Sequence, residues 1–174
     1  CILYYAVAND IHMLAPLRPL TRNHGQAGYT DGPVGMALFR NPMGIAVNDS
    51  NPLAHTLYVT NDGHMVRRVH PEKMQVTTLT GKPTNSGYNS SIDGALDEAI
   101  FANLDRGIEL MGTTVVVADG SKIRSINLVA SEVTTVAGQS NSGLRDGPGS
   151  IALFRSISDL TRHPSKPQIF IAHS

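Results

Sequence analysis

Short apolar runs separated by polar turns cover most of the chain, and many of them are rich in Val, Ile and Thr. β-Branched residues favour strands, and apolar runs this short are typical of strands rather than helices. Residues 56–60, 65–69 and 75–80 are three such runs, and the turn signal Asn-Asp-Gly separates the first two. The pattern therefore predicts an all-β chain of short antiparallel strands.

One motif divides the chain into repeated units. Asp-Gly, four intervening residues, Ala, one residue and Phe occur in this order at residues 31–39, 93–101 and 146–154. The strands predicted around these motifs define units at 1–25, 31–81, 93–138 and 146–174, of which the first and last are incomplete. The two complete units each contain four predicted strands and end at a glycine.

A unit of four short strands with this period is typical of a β-propeller blade, although compact blades have only about 40–45 residues. Such a sheet cannot bury both of its faces alone, and packing against neighbouring blades buries them. We predict about three and a quarter four-stranded antiparallel blades, whereas propellers usually have about 4–8. Both ends of the chain run in strand-like sequence, so we expect a piece of a larger ring. The remaining blades would be supplied in cis or by another subunit.

The order of the motifs resembles the NHL repeat. After the Asp-Gly motif come Gly-Ile in the first strand, Arg in the third and Val-Thr-Thr in the fourth, and the complete units share all of these. The resemblance implies a six-bladed propeller of the TolB-like architecture, of which this chain is a part. It also implies a module that binds proteins, RNA or small ligands, although related propellers include lactonases and amidating lyases.

Composition narrows the range of partners. Lys and Arg together number 14, Asp and Glu together number 14, and charged residues make up only 16% of the chain. A neutral, sparsely charged chain gives no electrostatic reason to expect nucleic acid as a partner. No apolar run approaches the ~20 residues of a membrane-spanning helix. The single cysteine, Cys1, excludes an intrachain disulfide.

The Asp-Gly pairs themselves are interpreted as structural turns. An aspartate accepts hydrogen bonds from nearby backbone N–H groups, and glycine permits a positive φ. A cation site would instead need several oxygens converging from different segments. The residues assigned to this structural role are Asp31, Gly32, Asp93, Gly94, Asp146 and Gly147.

The turn between the second and third strands of each complete unit is the candidate binding site, because loops on a rigid scaffold often carry function. Arg67 and Arg124 occupy equivalent positions in the third strand. They either contact an anionic partner or pair with carboxylates and carbonyls within the blade. The candidate partner-binding residues are Asp62, His64, Arg67, Asp119, Lys122 and Arg124.

No catalytic constellation is present in the sequence, which lacks a G-x-S-x-G nucleophile elbow and a P-loop. We therefore expect a non-enzymatic binding scaffold for a protein or small ligand, with no catalytic residue and no cofactor. One alternative is a metal-dependent hydrolase or lyase that uses calcium or zinc, and another is an RNA-binding module. Asn48 and Asn89 begin N-x-S/T sequons, which would accept glycans if the protein were secreted or displayed at the cell surface.

Overall fold

The computed structural model describes residues 4–7, 10–14, 17–19, 26–48, 50–51, 55–84 and 90–173. The regular secondary structure of these residues consists of fifteen β-strands, which pair in antiparallel fashion. The predicted all-β class is thereby confirmed. Within the described ranges, no helix has the length and apolar character needed to cross a membrane.

The strands form four sheets among the described residues. Sheet 1 contains β1 (Tyr4–Val7), β2 (Asp10–Leu14) and β3 (Leu17–Pro19). Sheet 2 has the spatial order β4-β8-β7-β6-β5, from β4 (Gly32–Pro33), β5 (Pro42–Asn48), β6 (Thr56–Asn61), β7 (Met65–His70) and β8 (Gln75–Gly81). Sheet 3 has the spatial order β10-β11-β12-β13-β9, from β9 (Gly94–Ala95), β10 (Leu104–Met111), β11 (Thr114–Asp119), β12 (Lys122–Asn127) and β13 (Glu132–Gly138). Sheet 4 contains β14 (Ile157–Arg162) and β15 (Ile169–His173).

Sheets 2 and 3 differ from the predicted four-stranded blades because each has a fifth, two-residue strand. Gly32 pairs with Val76 in sheet 2, and Gly94 pairs with Val133 in sheet 3. The glycine of each Asp-Gly pair has a positive φ, 142° and 152° respectively, which lets the chain leave the turn and run along the outer strand. The Asp-Gly segments are therefore both turn and strand.

Successive sheets pack against one another through their first strands. β1 contacts β5, β5 contacts β10, and β10 contacts β14. Hydrogen bonds cross between sheets 2 and 3, where Thr60 Oγ1 donates to the Asp105 carbonyl at 3.0 Å. None of the sheets closes on itself. This arrangement is compatible with a β-propeller-like architecture.

The middle strands of sheets 2 and 3 bury both of their faces. In β6, Leu57 and Val59 belong to a cluster on one face, whereas Tyr58 belongs to the cluster between sheets 2 and 3. In β11, Val117 faces this same inter-sheet cluster, and Val116 faces sheet 4. Side chains alternate between the faces of a strand, so a strand covered on both sides is apolar at successive positions. The continuous apolar runs in the sequence have this cause.

Gly44 allows the first strands of sheets 2 and 3 to approach each other. A Cβ at this position would collide with the carbonyl oxygen of Arg106 and would lie 2.8 Å from Ile108 Cγ2. The glycine is therefore required by close packing between two backbones.

We expect Gly44→Ala to lower the free energy of unfolding by roughly 1–3 kcal/mol, because the added methyl group must push the two strands apart. Urea denaturation measures this change. Gly35→Ala is the matched control, since a Cβ at Gly35 would have no heavy atom within 4 Å. Equal stability of the two variants would contradict the packing of β5 on β10.

Candidate functional site

Arg67 is fully buried beneath the candidate binding turn of sheet 2. Its Nη1 donates to the Leu38 carbonyl at 3.0 Å, and its Nη2 donates to the Thr30 carbonyl at 3.1 Å and to Asp31 Oδ1 at 2.6 Å. The guanidinium carbon lies 4.9 Å from the centre of the Phe39 ring. Burial lowers the pKa of Arg67, and the Asp31 carboxylate opposes this shift. The guanidinium is thus held mainly by residues 31–39. We call this segment and its two equivalents, residues 93–101 and 146–154, the Asp-Gly loops.

Arg124 repeats this arrangement in sheet 3 and is also fully buried. Its Nη2 donates to the Ile92 carbonyl at 2.9 Å and forms an ion pair with Asp93 Oδ1 at 2.8 Å. Its Nη1 donates to the Ile100 carbonyl at 3.2 Å. The Phe101 ring centre is 5.0 Å from the guanidinium carbon. In both sheets the third strand is therefore tied to its Asp-Gly loop by one arginine.

The aspartates of the first two Asp-Gly loops also bind the fourth strand. Asp31 accepts hydrogen bonds from the Thr78 backbone N–H at 2.8 Å and from its Oγ1 at 3.1 Å. Asp93 accepts the equivalent bonds from Thr135 at 2.8 and 3.0 Å. Each carboxylate thus joins the loop to two neighbouring strands, which is a structural arrangement within the sheet.

Asp119 is fully buried at the end of β11, and its carboxylate is completely engaged. Oδ1 accepts the backbone N–H groups of Ala102 and Asn103 at 2.9 and 2.7 Å. Oδ2 accepts from Arg124 Nη1 at 2.8 Å. In sheet 2 the strand register places Asn61 at the equivalent position. Asp119 therefore supports the base of the turn.

The candidate binding turns of sheets 2 and 3 meet at the adjacent residues Asn103 and Leu104. The Gly120 N–H donates to the Asn103 carbonyl at 2.8 Å, and the next residue, Leu104, donates its N–H to the Gly63 carbonyl at 2.6 Å. These bonds place residues 61–64, 101–103 and 119–122 side by side on one surface. We name this surface the turn face.

The six candidate residues fall into two groups that differ in burial at the turn face. His64 Nδ1 lies 3.1 Å from the Phe101 carbonyl and so belongs to the contact between sheets. Asp62 has a left-handed backbone with a φ of 55° and is partly exposed. Asp62, His64 and Lys122 are partly exposed. Arg67, Asp119 and Arg124 are buried.

Tyr29 and Arg40 surround Asp62, which sequence reasoning did not anticipate. The Tyr29 hydroxyl donates to Asp62 Oδ2, and Arg40 Nε lies 3.6 Å from the same oxygen. Arg40 Nη1 also donates to the Tyr29 hydroxyl at 3.3 Å. Burial raises the pKa of Tyr29, and the hydrogen bond and charge of Asp62 raise it further. The three residues are far apart in sequence, so only the fold brings them together.

A small polar cleft of about 120 Å³ opens beside the turn of sheet 3. Ser121 on its wall donates its hydroxyl to the Gln139 carbonyl at 2.8 Å. Hydroxyl groups and one ammonium dominate the lining, and such groups suit a small polar or anionic substituent. The polar side chains that line the cleft over the buried Asp119 are Ser90, Ser91, Ser121, Lys122 and Ser140.

Other candidate features lie apart from the turn face. Asn48 ends β5, and its Oδ1 accepts bonds from the N–H and hydroxyl of Ser50 at 3.1 and 2.7 Å. Asn89 lies outside the described residues. Across the described ranges, no group of three or more His, Cys, Asp or Glu side chains is arranged to hold a metal ion. Glycosylation of either asparagine stays a prediction.

Comparisons with known proteins give little further information. No family model and no curated protein match the chain. One similar solved structure is a structural genomics protein of unknown function from Bacteroides thetaiotaomicron VPI-5482, with 17% identity and a TM-score of 0.49. The match covers 99% of this chain and 54% of that one, so this chain spans about half the length of that protein. The NHL resemblance therefore rests on the sequence motifs.

We expect Arg124→Lys to lower the free energy of unfolding by roughly 2 kcal/mol or more, as measured by urea denaturation. A lysine lacks the planar set of donors that reaches two carboxylates and two carbonyls, and the buried Asp119 would lose its partner. Arg155→Lys is the matched control because Arg155 is exposed. A loss of similar size in both variants would show that the buried contacts do not stabilise sheet 3.

Titration of Tyr29 tests the cluster around Asp62. We expect the Tyr29 phenol to titrate above its ordinary pKa of 10.0 and Asp62→Asn to bring this pKa down. The pKa should remain above 10.0 in the variant because burial is the larger cause. Carbon-13 NMR of ring-labelled tyrosine reports the midpoint, with Tyr29→Phe to assign the signal. A midpoint that Asp62→Asn leaves unchanged would contradict the contact.

Proposed function

We propose that the chain is a non-enzymatic binding scaffold, an arc of an NHL-type β-propeller that presents its turn face to a protein partner. A small polar ligand or a polar side chain of the partner would enter the cleft beside Lys122. The observation that carries this proposal is the contact of two turns from neighbouring sheets with two adjacent residues of one segment, Asn103 and Leu104. Two separate loops thereby become one continuous surface.

The packing of the sheets supports the propeller part of the proposal. Sheets 2 and 3 have the same five-strand order, with the first long strand at one edge and the short strand at the other. Successive first strands lie against one another, and apolar clusters fill the spaces between sheets 2 and 3 and between sheets 3 and 4. Propeller blades pack around a central axis in this manner. The number of blades and the closure of the ring remain part of the proposal.

The chemistry of the turn face suits a protein surface. Its partly exposed groups include the acidic Asp62, the titratable His64 and the basic Lys122, together with the hydroxyls of the cleft. The polar rim of a protein interface contains such mixed charges and hydrogen-bonding groups. The buried arginines and aspartates below hold the turns in place, so little conformational entropy would be lost on binding. The enzyme and RNA-binding alternatives stay predictions from sequence.

Capture of partners with a substituted turn face tests the proposal. The test variant combines Asp62→Asn, His64→Gln and Lys122→Met, and asparagine tolerates the left-handed backbone of position 62. The control variant combines Lys73→Met and Glu132→Gln, which are exposed at the other ends of the strands and likewise leave the net charge unchanged.

Each immobilised chain is exposed to an extract of the cells that produce the protein, and bound proteins are quantified by mass spectrometry. We expect a partner that the original chain and the control variant retain equally and that the test variant loses by about tenfold or more. Equal retention of every specific partner by the test variant would refute the turn face as the binding surface.

A further inference from the structure

A second cleft lies between sheets 3 and 4, at the strand ends opposite to the turn face. β11 reaches the turn face at Asp119, so the β10–β11 turn at its start lies at the far end. β10 packs against β14, which brings this turn beside the β14–β15 turn. Met111, Gly112 and residues 162–167 line a cleft of about 450 Å³ between the two turns. Sites for small molecules have volumes of about 300–1,000 Å³.

Hydrogen bonds within the β14–β15 turn hold its backbone in one conformation. The His163 N–H donates to the Gln168 carbonyl at 2.8 Å, and the Gln168 N–H donates to the Lys166 carbonyl at 2.8 Å. The Nδ1 atom of His163 accepts the backbone N–H groups of Ser165 and Lys166, both at 3.1 Å. The turn also contains two prolines, whose φ angles are restricted by their rings. The wall of the cleft is therefore ordered without a ligand.

The same hydrogen bonds determine which nitrogen of His163 is available to a ligand. In a neutral imidazole one nitrogen accepts a hydrogen bond and the other donates one. Because Nδ1 accepts two backbone N–H groups, the proton is on Nε2. The Phe170 ring lies beside the imidazole, with the two ring centres 6.0 Å apart. His163 therefore adds an N–H donor to the lining of the cleft.

Two cationic side chains line the cleft without an ion-pair partner among the described residues. Arg162 and Lys166 are both exposed, and every described carboxylate lies beyond ion-pair distance of their charged groups. Glu109 is the acidic neighbour, since its Oε1 accepts the Arg162 backbone N–H at 3.3 Å. Two cations beside one carboxylate leave an excess of one positive charge here, in a chain whose net charge is zero.

We propose that this cleft, named here the basic cleft, binds a small organic anion that carries a phosphate or carboxylate group. The Arg162 guanidinium and the Lys166 ammonium bind the anionic oxygens, and the Nε2–H of His163 donates a further hydrogen bond. Met111 and the two prolines of the turn contact the apolar part of the molecule. The basic cleft is separate from the turn face, and its ligand does not depend on the partner proposed there.

The lining of the basic cleft favours a small anion over a metal ion or a nucleic acid. None of its lining residues, all of which the structure describes, is Asp, Glu or Cys, so a cation would lack anionic ligands. Nucleic-acid surfaces carry a patch or stripe of many basic residues. Two cations at one cleft suit a single phosphate or carboxylate group, which a guanidinium binds through paired hydrogen bonds.

Titration of the 174-residue chain with phenyl phosphate and with benzoate tests this proposal. Both probes combine an aromatic ring with one anionic group, and benzyl alcohol is the uncharged control probe. Nitrogen-15 NMR of the backbone amides of Gly112, Ser165 and Lys166 reports binding and gives the Kd. Arg162→Met and Lys166→Met are the test variants. Lys73→Met is the matched control variant, because Lys73 is also exposed and also lies in a turn, but in sheet 2.

We expect at least one of the two anions to shift these amides, and each test variant to weaken its binding by about tenfold, since one charged hydrogen-bonding group is lost. The control variant should bind as the original chain does, and added salt should weaken binding. A response to phenyl phosphate alone would identify the ligand group as a phosphate, and a response to benzoate alone would identify it as a carboxylate.

Three results would overturn the proposal. They are the absence of amide shifts in the cleft with both anions, binding of benzyl alcohol as tight as that of the anions, and an affinity that neither test variant changes. The comparison of charged and uncharged probes uses only the original chain, so it decides the matter even where a variant folds poorly.

Discussion

The structure of sheets 2 and 3 depends on a buried arginine that pairs with an aspartate of the Asp-Gly loop. The guanidinium of Arg67 joins Asp31, two backbone carbonyls and the ring of Phe39, and Arg124 does the same in sheet 3. Burying a cation is costly unless it is paired and hydrogen-bonded, and here the two Nη atoms of each guanidinium make those contacts. The Asp-Gly loop, the third strand and the fourth strand are thereby fixed relative to one another.

This fixed base determines what the turn face can do. Both carboxylate oxygens of Asp119 accept hydrogen bonds, from Arg124 and from two backbone N–H groups, so Asp119 orients the turn and is not exposed to a partner. Asp62 emerges from the equivalent turn and meets Tyr29 and Arg40 at the surface. The strand register is the same in both sheets, with the buried Asn61 equivalent to Asp119, so the surface cluster of sheet 2 arises because Asp62 stands where sheet 3 has Gly120.

Packing between sheets follows from a second constraint, which is that each middle strand must bury both faces. Tyr58 faces sheet 3 while Leu57 packs on the opposite side, and Gly44 lets the first strands approach closely. A chain of such sheets buries its apolar surface only through its neighbours. The partly buried Phe154 and the unpaired edge of β15 mark the place where this burial is incomplete among the described residues.

The sequence by itself determined the all-β class, the three Asp-Gly loops and the equivalence of Arg67 with Arg124, because strand propensity, turn chemistry and repeat spacing are local properties. Only the tertiary structure decided which candidate residues reach the surface and that Asn103 and Leu104 join two turns. It also added β4 and β9 to the predicted four-stranded sheets and brought Tyr29 and Arg40 to Asp62. These features depend on contacts between residues distant in sequence, and strand spacing carries no information about which distant side chains will meet.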